Sequence, residues 1–471
     1  MNKKIIAINL LIIFILSCFS NVVIGYNYTS SNESSNENNY VKNVEKKSYD
    51  LLIITPPKFR INLIRLVNHK NDIGVKTVLK TTNWIYINSL LRKFDGNIGR
   101  DKPEMIKYFI KYAYDNWNIK YVLLVGDFKD IPVRYVFNDQ PSEKHPEPCF
   151  ISELYYADIY DSIGGFSSWD TNGNSVFGEW IGDEAQDKNI DLRPEVCIGR
   201  LPCRNKHEVK VTVNKIISYE STNVTKTDWF KKIIVIGGDT YTKLPGYEGE
   251  KNTEKIIDNM SDFTPIKLWT STGTLTGPQD VINAINKGSG FLYLDIHGDP
   301  MGFFTYLPED DKIPSFCLRH MYLLWNRNML PVCVASSCHN CQFDVHLGNI
   351  IHGELNKHRW IPECWGWCLT RMRFGGSIAT IGNTGLGYTK EDKPIEKVGC
   401  GDYMDSRFFW QYGVNNTEIL GEIWKKTIYD YLETFKIDWN TPSDLDSAID
   451  AKVVQMWVLF GDPSLKIGGY N

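Results

Sequence analysis

Residues Leu330–Phe343, LPVCVASSCHNCQF, decide the fold. Leu330, Val332, Cys333, Val334 and Ala335 form an apolar run with Pro331 near its start. Such a run reads as a central strand of a parallel sheet, buried on both faces. Its character then changes. Ser336, Ser337 and Cys338 are small and polar, and Cys338 falls where the strand should end. In open α/β sheets the crevice beyond the carboxyl ends of the strands is where ligands bind. Upstream, Gly290–Ile296 (GFLYLDI) repeats the pattern, apolar apart from Asp295, and runs straight into His297-Gly298. Two apolar strands thus each deliver one reactive group at their carboxyl end. A thiol nucleophile and an imidazole that moves protons are the pair that cysteine acyl-transfer chemistry requires.

The flanking sequence alternates strand and helix. Asp50–Thr55 is a strand stopped by Pro56-Pro57, and a helix is expected over 58–69. Strands follow at 75–79, 121–125 and 195–200, with helices over 103–117 and 205–219. The polar stretch 221–228 reads as a junction, after which Lys232–Gly237 restarts the rhythm. Helices over 250–260, 278–286 and 417–435 and strands at 266–269, 377–381 and from 457 onward complete the pattern. The expected fold class is α/β: two similar subdomains, 48–225 and 226–471, each with a mostly parallel sheet flanked by helices. Between the two reactive strands, Met301, Phe303, Phe304 and Trp325 are expected to form pocket walls.

Bulk properties narrow the classes. A chain of 471 residues exceeds one ordinary core. Hydrophobic residues at 42% and aromatics at 13% describe a globular protein. A net charge of -4 lacks the basic footprint of a nucleic-acid binder, so no nucleic-acid partner is expected. Residues 1–25 carry Lys3 and Lys4, an apolar run over 5–19 and a small residue at Gly25, the layout of a secretory signal peptide. The protein is therefore expected outside the cell. Membrane contact is expected only if that segment is retained or if Cys18 carries a lipid. Residues 26–47 read as a polar flexible spacer. Glycosylation sequons occur at Asn27, Asn32, Asn223, Asn259 and Asn415.

Other chemistry competes for the same residues. Cys338 and Cys341 form a C-x-x-C between a strand and a helix, where redox proteins put their thiol pair. That reading leaves His297-Gly298 unexplained. Cys338, Cys341, Cys364 and Cys368 have spacings that suit zinc. Taken singly, Cys338 reads as a packed thiol and His297 as a structural histidine. His346 and His352 are rival imidazoles, but neither ends an apolar strand. Gly298 adds weight to the pair: its N–H can approach a substrate oxygen and, with the Cys338 N–H, make a two-donor oxyanion hole. Separately, Asp170, Asn172, Asn174, the Val176 carbonyl and Glu179 place oxygen donors at alternating positions, the pattern of a calcium loop. Asp158 and Asp161 could join it. The plainer reading is a turn-rich surface loop. Ca2+ is thus a candidate structural cofactor, and no organic cofactor is expected.

The ordered set of motifs resembles the gingipain-type cysteine peptidase family of the caspase-like clan. The matching pieces are His297-Gly298-Asp299, Ser337-Cys338 with Phe343-Asp344, Leu124–Asp127, Tyr155–Asp158, Ile198–Pro202 and Gly461–Leu465. The resemblance implies a caspase-like fold with the active site on the second subdomain. It implies a secreted cysteine endopeptidase acting on protein or peptide substrates. Cys338 would form an acyl-enzyme, with His297 as general acid and base. In the family an acid of the first subdomain orients the histidine, and by position this is Glu195. Family members bind calcium, which supports the 170–179 loop, and prefer Arg or Lys before the cut. Asp299, Glu309, Asp310 and Asp311 are the acids near the His297 strand. A thiol–disulfide redox protein and a non-catalytic caspase-like binding module are the alternatives.

Overall fold

Ten short strands pair into one twisted sheet among the residues described by the computed structural model, which are 48–138, 147–242, 246–307, 316–335, 337–352, 360–389 and 399–470. In chain order they are β1 (Leu51–Thr55), β2 (Thr77–Thr81), β3 (Tyr121–Val125), β4 (Cys197–Leu201), β5 (Lys232–Gly237), β6 (Thr264–Trp269), β7 (Phe291–Asp295), β8 (Val332–Ala335), β9 (Ala379–Asn383) and β10 (Trp457–Phe460). Across the sheet the order is β6-β5-β7-β8-β9-β10-β4-β3-β1-β2. Every residue of β1, β3, β4, β8, β9 and β10 is buried; β3, β8 and β10 are apolar throughout, while β4 (CIGRL) and β9 (ATIGN) bury polar side chains as well. The outer strands β2 (TVLKT) and β6 (TPIKLW) carry Lys, Thr and a Pro and stay partly exposed, as edges require.

Helices cross between the strands. Arg60–Asp72 links β1 to β2, and Lys102–Trp117 precedes β3. The Asp101 carboxylate caps the second of these by accepting the Glu104 N–H, with Pro103 in its first turn. Asn205 caps Lys206–Glu220 in the same way. The amino- and carboxyl-terminal halves of the chain form the two ends of this one continuous sheet, and β10 joins them. It runs antiparallel to β9, from Thr380 opposite Phe460 to Asn383 opposite Trp457, and meets β4 where Phe460 faces Arg200. Beyond β10 the chain bends at once: Asp462 Oδ1 accepts the Ser464 N–H (2.9 Å) and hydroxyl (2.7 Å). The strand expected from 457 onward therefore ends at Phe460.

Six helices among the described residues were not legible in the sequence: Thr82–Arg92, Leu154–Ala157, Leu318–Met321, Trp365–Arg371, Cys400–Gly413 and Asp446–Met456. Cys400–Gly413 buries aromatic, small and acidic residues together, and Asp446–Met456 buries small, aliphatic and charged residues together, so no apolar stripe betrays either. The signal segment, the spacer, Cys18, Asn27 and Asn32 lie outside the described residues. No helix among the described residues is long and apolar enough to cross a membrane.

Candidate active site

β7 and β8 lie side by side, with Phe291–Tyr293 opposite Val332–Val334, so their carboxyl ends open at one edge. Past β7 the chain forms a short hairpin, His297–Asp299 against Gly302–Phe304. Asp299 Oδ1 holds its turn by accepting the N–H groups of Met301 (2.7 Å) and Gly302 (3.0 Å). Past β8 the chain turns tightly, with His339 in the left-handed region at φ 56°. The His339 and Cys341 N–H groups donate to Gly385 O and Asn383 O, both at 2.9 Å, pinning the turn to the end of β9. His297 and Cys338 line one cavity of about 250 Å³.

The His297 Nε2 lies 2.8 Å from the Thr240 carbonyl. Only a protonated nitrogen donates there, so Nε2 carries hydrogen and Nδ1 is left for chemistry. The ring sits among Tyr241, Phe304 and Tyr306, with centroids 6.2, 5.2 and 6.1 Å away. Cys338 is partly exposed to the cavity, its Sγ 3.8 Å from the Gly387 carbonyl. Burial pushes its thiol pKa up, and the Glu147 carboxylate adds to this against the opposing pull of the Gly387 contact. At neutral pH the group rests as a thiol, so proton removal must accompany attack.

Asp295, Asp402 and Asp405 also line the cavity, with Glu248, Lys251 and Lys255. Burial, then the facing Asp402, raises the Asp295 carboxyl well above its ordinary range, and burial raises Asp402 as well. These acids escaped the sequence reading: Asp295 looked like an interruption of a strand, and Asp402 lies on an unanticipated helix.

Gly298 packs on the Cys338 turn so closely that an added Cβ would lie 2.5 Å from Asn340 Oδ1 and 2.6 Å from Ser337 Cβ. Only glycine fits there.

The structure separates Glu195 from this site. Its carboxylate accepts the N–H groups of Ile159 (2.6 Å) and Tyr160 (3.2 Å), and it faces a different cavity. The helix Cys400–Gly413 spans the gap. Its Asp402 lines the His297 cavity and its Gln411 the Glu195 cavity, about 13 Å apart along the axis. The group on His297 is instead the Thr240 carbonyl, a backbone atom invisible to any reading of side chains.

The 170–179 loop closes on itself. The Asp170 carboxylate accepts from the N–H groups of Gly173, Asn174 and Ser175 and from Arg100 (2.5 Å). Asn172 and Asn174 turn their amide N–H groups to Glu179, and Asn174 Oδ1 accepts the Val176 N–H. Asp158 and Asp161 are likewise held by Trp169, Ser167, Ile163 and Gly165. Most of these oxygens already serve N–H and O–H donors, while Asp158 Oδ1 is buried without one, so the loop as arranged is a run of turns and not a formed calcium cage. Alternating Asp and Asn here make turns.

The ten cysteines among the described residues form no disulfide. Cys341 is fully buried, its Sγ beside Gly366 and Gly382, while Cys338 faces the cavity, so the C-x-x-C is split between core and cleft. Cys364 and Cys368 are also buried, and no group of three His, Cys, Asp or Glu among the described residues could hold a metal. Phe304 flanks His297 as expected. Phe303 is core, packed on Phe316 and Trp365, and Trp325 stacks on Phe374 at 4.8 Å. His346 stacks on Phe128. Glu309, Asp310 and Asp311 lie outside the described residues.

Comparison with known proteins follows this geometry. Gingipain R2 of Porphyromonas gingivalis is 22% identical over 431 residues, covering 90% of this chain and 46% of that protein. An uncharacterized protein of Archaeoglobus fulgidus is 21% identical over 350 residues, covering 71% of this chain and 75% of its own. The chain spans about half the length of the gingipain R2 that it matches. The crystal structure of the Arg specific cysteine proteinase gingipain R superposes with a TM-score of 0.61 at 21% identity, covering 90% of this chain and 79% of that one, and so shares its caspase-like fold. The profile of peptidase family C25 matches residues 44–468, and the chain therefore belongs to that family, the gingipain-type cysteine peptidases.

Proposed function

We propose that this protein is a secreted cysteine endopeptidase whose nucleophile is Cys338. The observation that carries the reading is that His297 and Cys338, 41 positions apart in the sequence, line a single cavity at the ends of adjacent strands. As a peptide enters, His297 Nδ1 takes the thiol proton and Cys338 Sγ attacks the scissile carbonyl. The N–H groups of Gly298 and Cys338 receive the developing oxyanion. His297 then gives its proton to the departing amine, and water, deprotonated by the same imidazole, hydrolyses the thioester. The Thr240 carbonyl stabilises the imidazolium and holds the tautomer. Family membership supports peptide substrates. The carboxylates of Asp295, Asp402 and Asp405 on the cavity wall favour a cationic side chain before the cut. The Arg specific relative points the same way. Export rests on residues 1–25, and amino-terminal sequencing of protein recovered from the medium tests it.

The experiment for activity is digestion of a mixed peptide library by the purified full chain under reducing conditions, with cuts mapped by mass spectrometry beside Cys338→Ala. Cuts after Lys or Arg that vanish with Cys338→Ala are the expected result. Absence of cuts from folded protein, with a Cys338 that resists alkylation, would sink the peptidase reading and leave a binding module.

A further inference from the structure

Asn340 sits two residues beyond the nucleophile and is 1% exposed. Its Nδ2 donates to the carbonyls of Asp299 (2.9 Å) and Gly302 (3.1 Å). Those residues flank the turn of the hairpin that carries His297. One side chain on the Cys338 turn thus grips both strands of the His297 hairpin. The main chain of Asn340 is itself fixed, because its carbonyl accepts the Gly366 N–H at 2.9 Å. The contact has no slack, since Gly298 leaves no room for a Cβ against Asn340 and Ser337.

A second observation marks the residue. Its Oδ1 is buried with no hydrogen-bond partner. A buried acceptor without a donor costs about 1–3 kcal/mol, and such atoms survive where the rest of the group has a task. The task follows from topology. The ladder between β7 and β8 ends at Tyr293 and Val334, short of both reactive groups. Beyond it the two loops leave separate strands, and the Asn340 amide ties them together.

We infer that Asn340 is a positioning residue for acyl transfer: its amide sets the separation of the Cys338 turn from the His297–Gly298 strand. It thereby fixes thiol, imidazole and the two oxyanion-binding N–H groups relative to one another. The inference rests on the peptidase reading. Catalytic geometry tolerates errors of about 0.5 Å, and a misplacement of about 1 Å costs on the order of 100-fold.

The test uses the full chain with Asn340→Asp, which keeps the shape but turns an oxygen toward two carbonyls, and Asn340→Ser, which keeps a hydroxyl donor too short to span both. Active sites are titrated with a peptidyl acyloxymethyl ketone, so kcat is expressed per competent site. KM, the melting temperature and the rate of Cys338 alkylation by iodoacetamide, which needs no oxyanion hole, are measured alongside. The expected result is a fall in kcat per site of about 10- to 100-fold for Asn340→Asp and a smaller fall for Asn340→Ser. KM stays within about twofold and alkylation is retained. A residue that only stabilises the fold would lower the melting temperature and the number of titratable sites and leave kcat per site unchanged. That outcome, in whichever variant folds, overturns the inference while the peptidase reading stands. A wild-type chain without activity would instead remove the reading beneath it.

Discussion

Two buried clusters, one in each half of the sheet, handle charge in opposite ways. In the amino-terminal half, the groups around Lys70 and Arg200 match their charges. Lys70, fully buried, lies 2.5 Å from Glu220 and 2.9 Å from Asp462, with His69 on the other oxygen of Glu220. Burial alone would lower its pKa, and the two carboxylates outweigh that and raise it. Arg200 gives Glu153 two bonds at 2.8 and 3.0 Å and spends a third nitrogen on the carbonyls of Gly126 and Ile131. In the carboxyl-terminal half, Asp295 and Asp402 face each other with raised pKa values, Cys338 points into a cleft, and Asn340 keeps an unused oxygen. Matched charge holds a fold in place. Mismatched charge beside a cavity is free to act on something else.

Variants in each half test this contrast, and the largest effect falls in the cleft. Cys338→Ala should lower kcat/KM by at least about 10,000-fold while leaving the melting temperature unchanged, because the thiol is lost but little packing is. Lys70→Ala should do the reverse. Removing one member of a buried ionic cluster strands its partners and costs about 3–5 kcal/mol. Urea unfolding reads this cost, and kcat per titrated site should not move. A Lys70→Ala chain of normal stability would break the comparison.

Asp402→Asn comes next. A carboxyl whose folded pKa lies above its unfolded value binds more protons in the folded state. Stability is then full at low pH and is lost as pH rises from about 3.8 through the folded value. The wild type should therefore lose more melting temperature between pH 4.5 and 7.5 than Asp402→Asn, by roughly 2–4 °C. Selectivity for cationic residues before the cut should weaken in parallel. The smallest effect is expected at Cys341. Cys341→Ala should leave kcat within about threefold and cost about 1 kcal/mol of packing. A large loss of activity would show that the two thiols work as a pair and would revive the redox alternative.

The strands that carry Cys338 and His297 were legible because a strand buried on both faces is mostly apolar, and each run ends abruptly at a reactive group. The edge and its chemistry followed from that pattern. What escaped depended on the third dimension. Asp402 reaches the cleft on a helix whose buried face mixes aromatic and acidic residues. Asn340 looks like any polar residue in a turn until its amide is seen to span two carbonyls. Thr240 acts through its backbone, and no side-chain pattern encodes that. Glu195 was carried over by position in a family and lies just before its strand, on a cavity other than the one His297 lines. In the 170–179 loop, oxygen atoms at every second position suit a cation and a chain of Asx turns equally well. Only the direction of the N–H groups separates the two.

The strand that unites the sheet, Trp457–Phe460, comes after every other strand in the chain. Synthesis is vectorial, and domains fold as their parts emerge. A ribosome that has already delivered His297 and Cys338 must add more than a hundred further residues before β9 and β4 acquire their shared neighbour. Until then each half-sheet has an open edge, a surface that invites pairing with other chains. Shortened products ending before Trp457 would hold both reactive groups on an unjoined framework. The timing of translation thus places assembly of the scaffold last, after the chemistry is already encoded in the nascent chain.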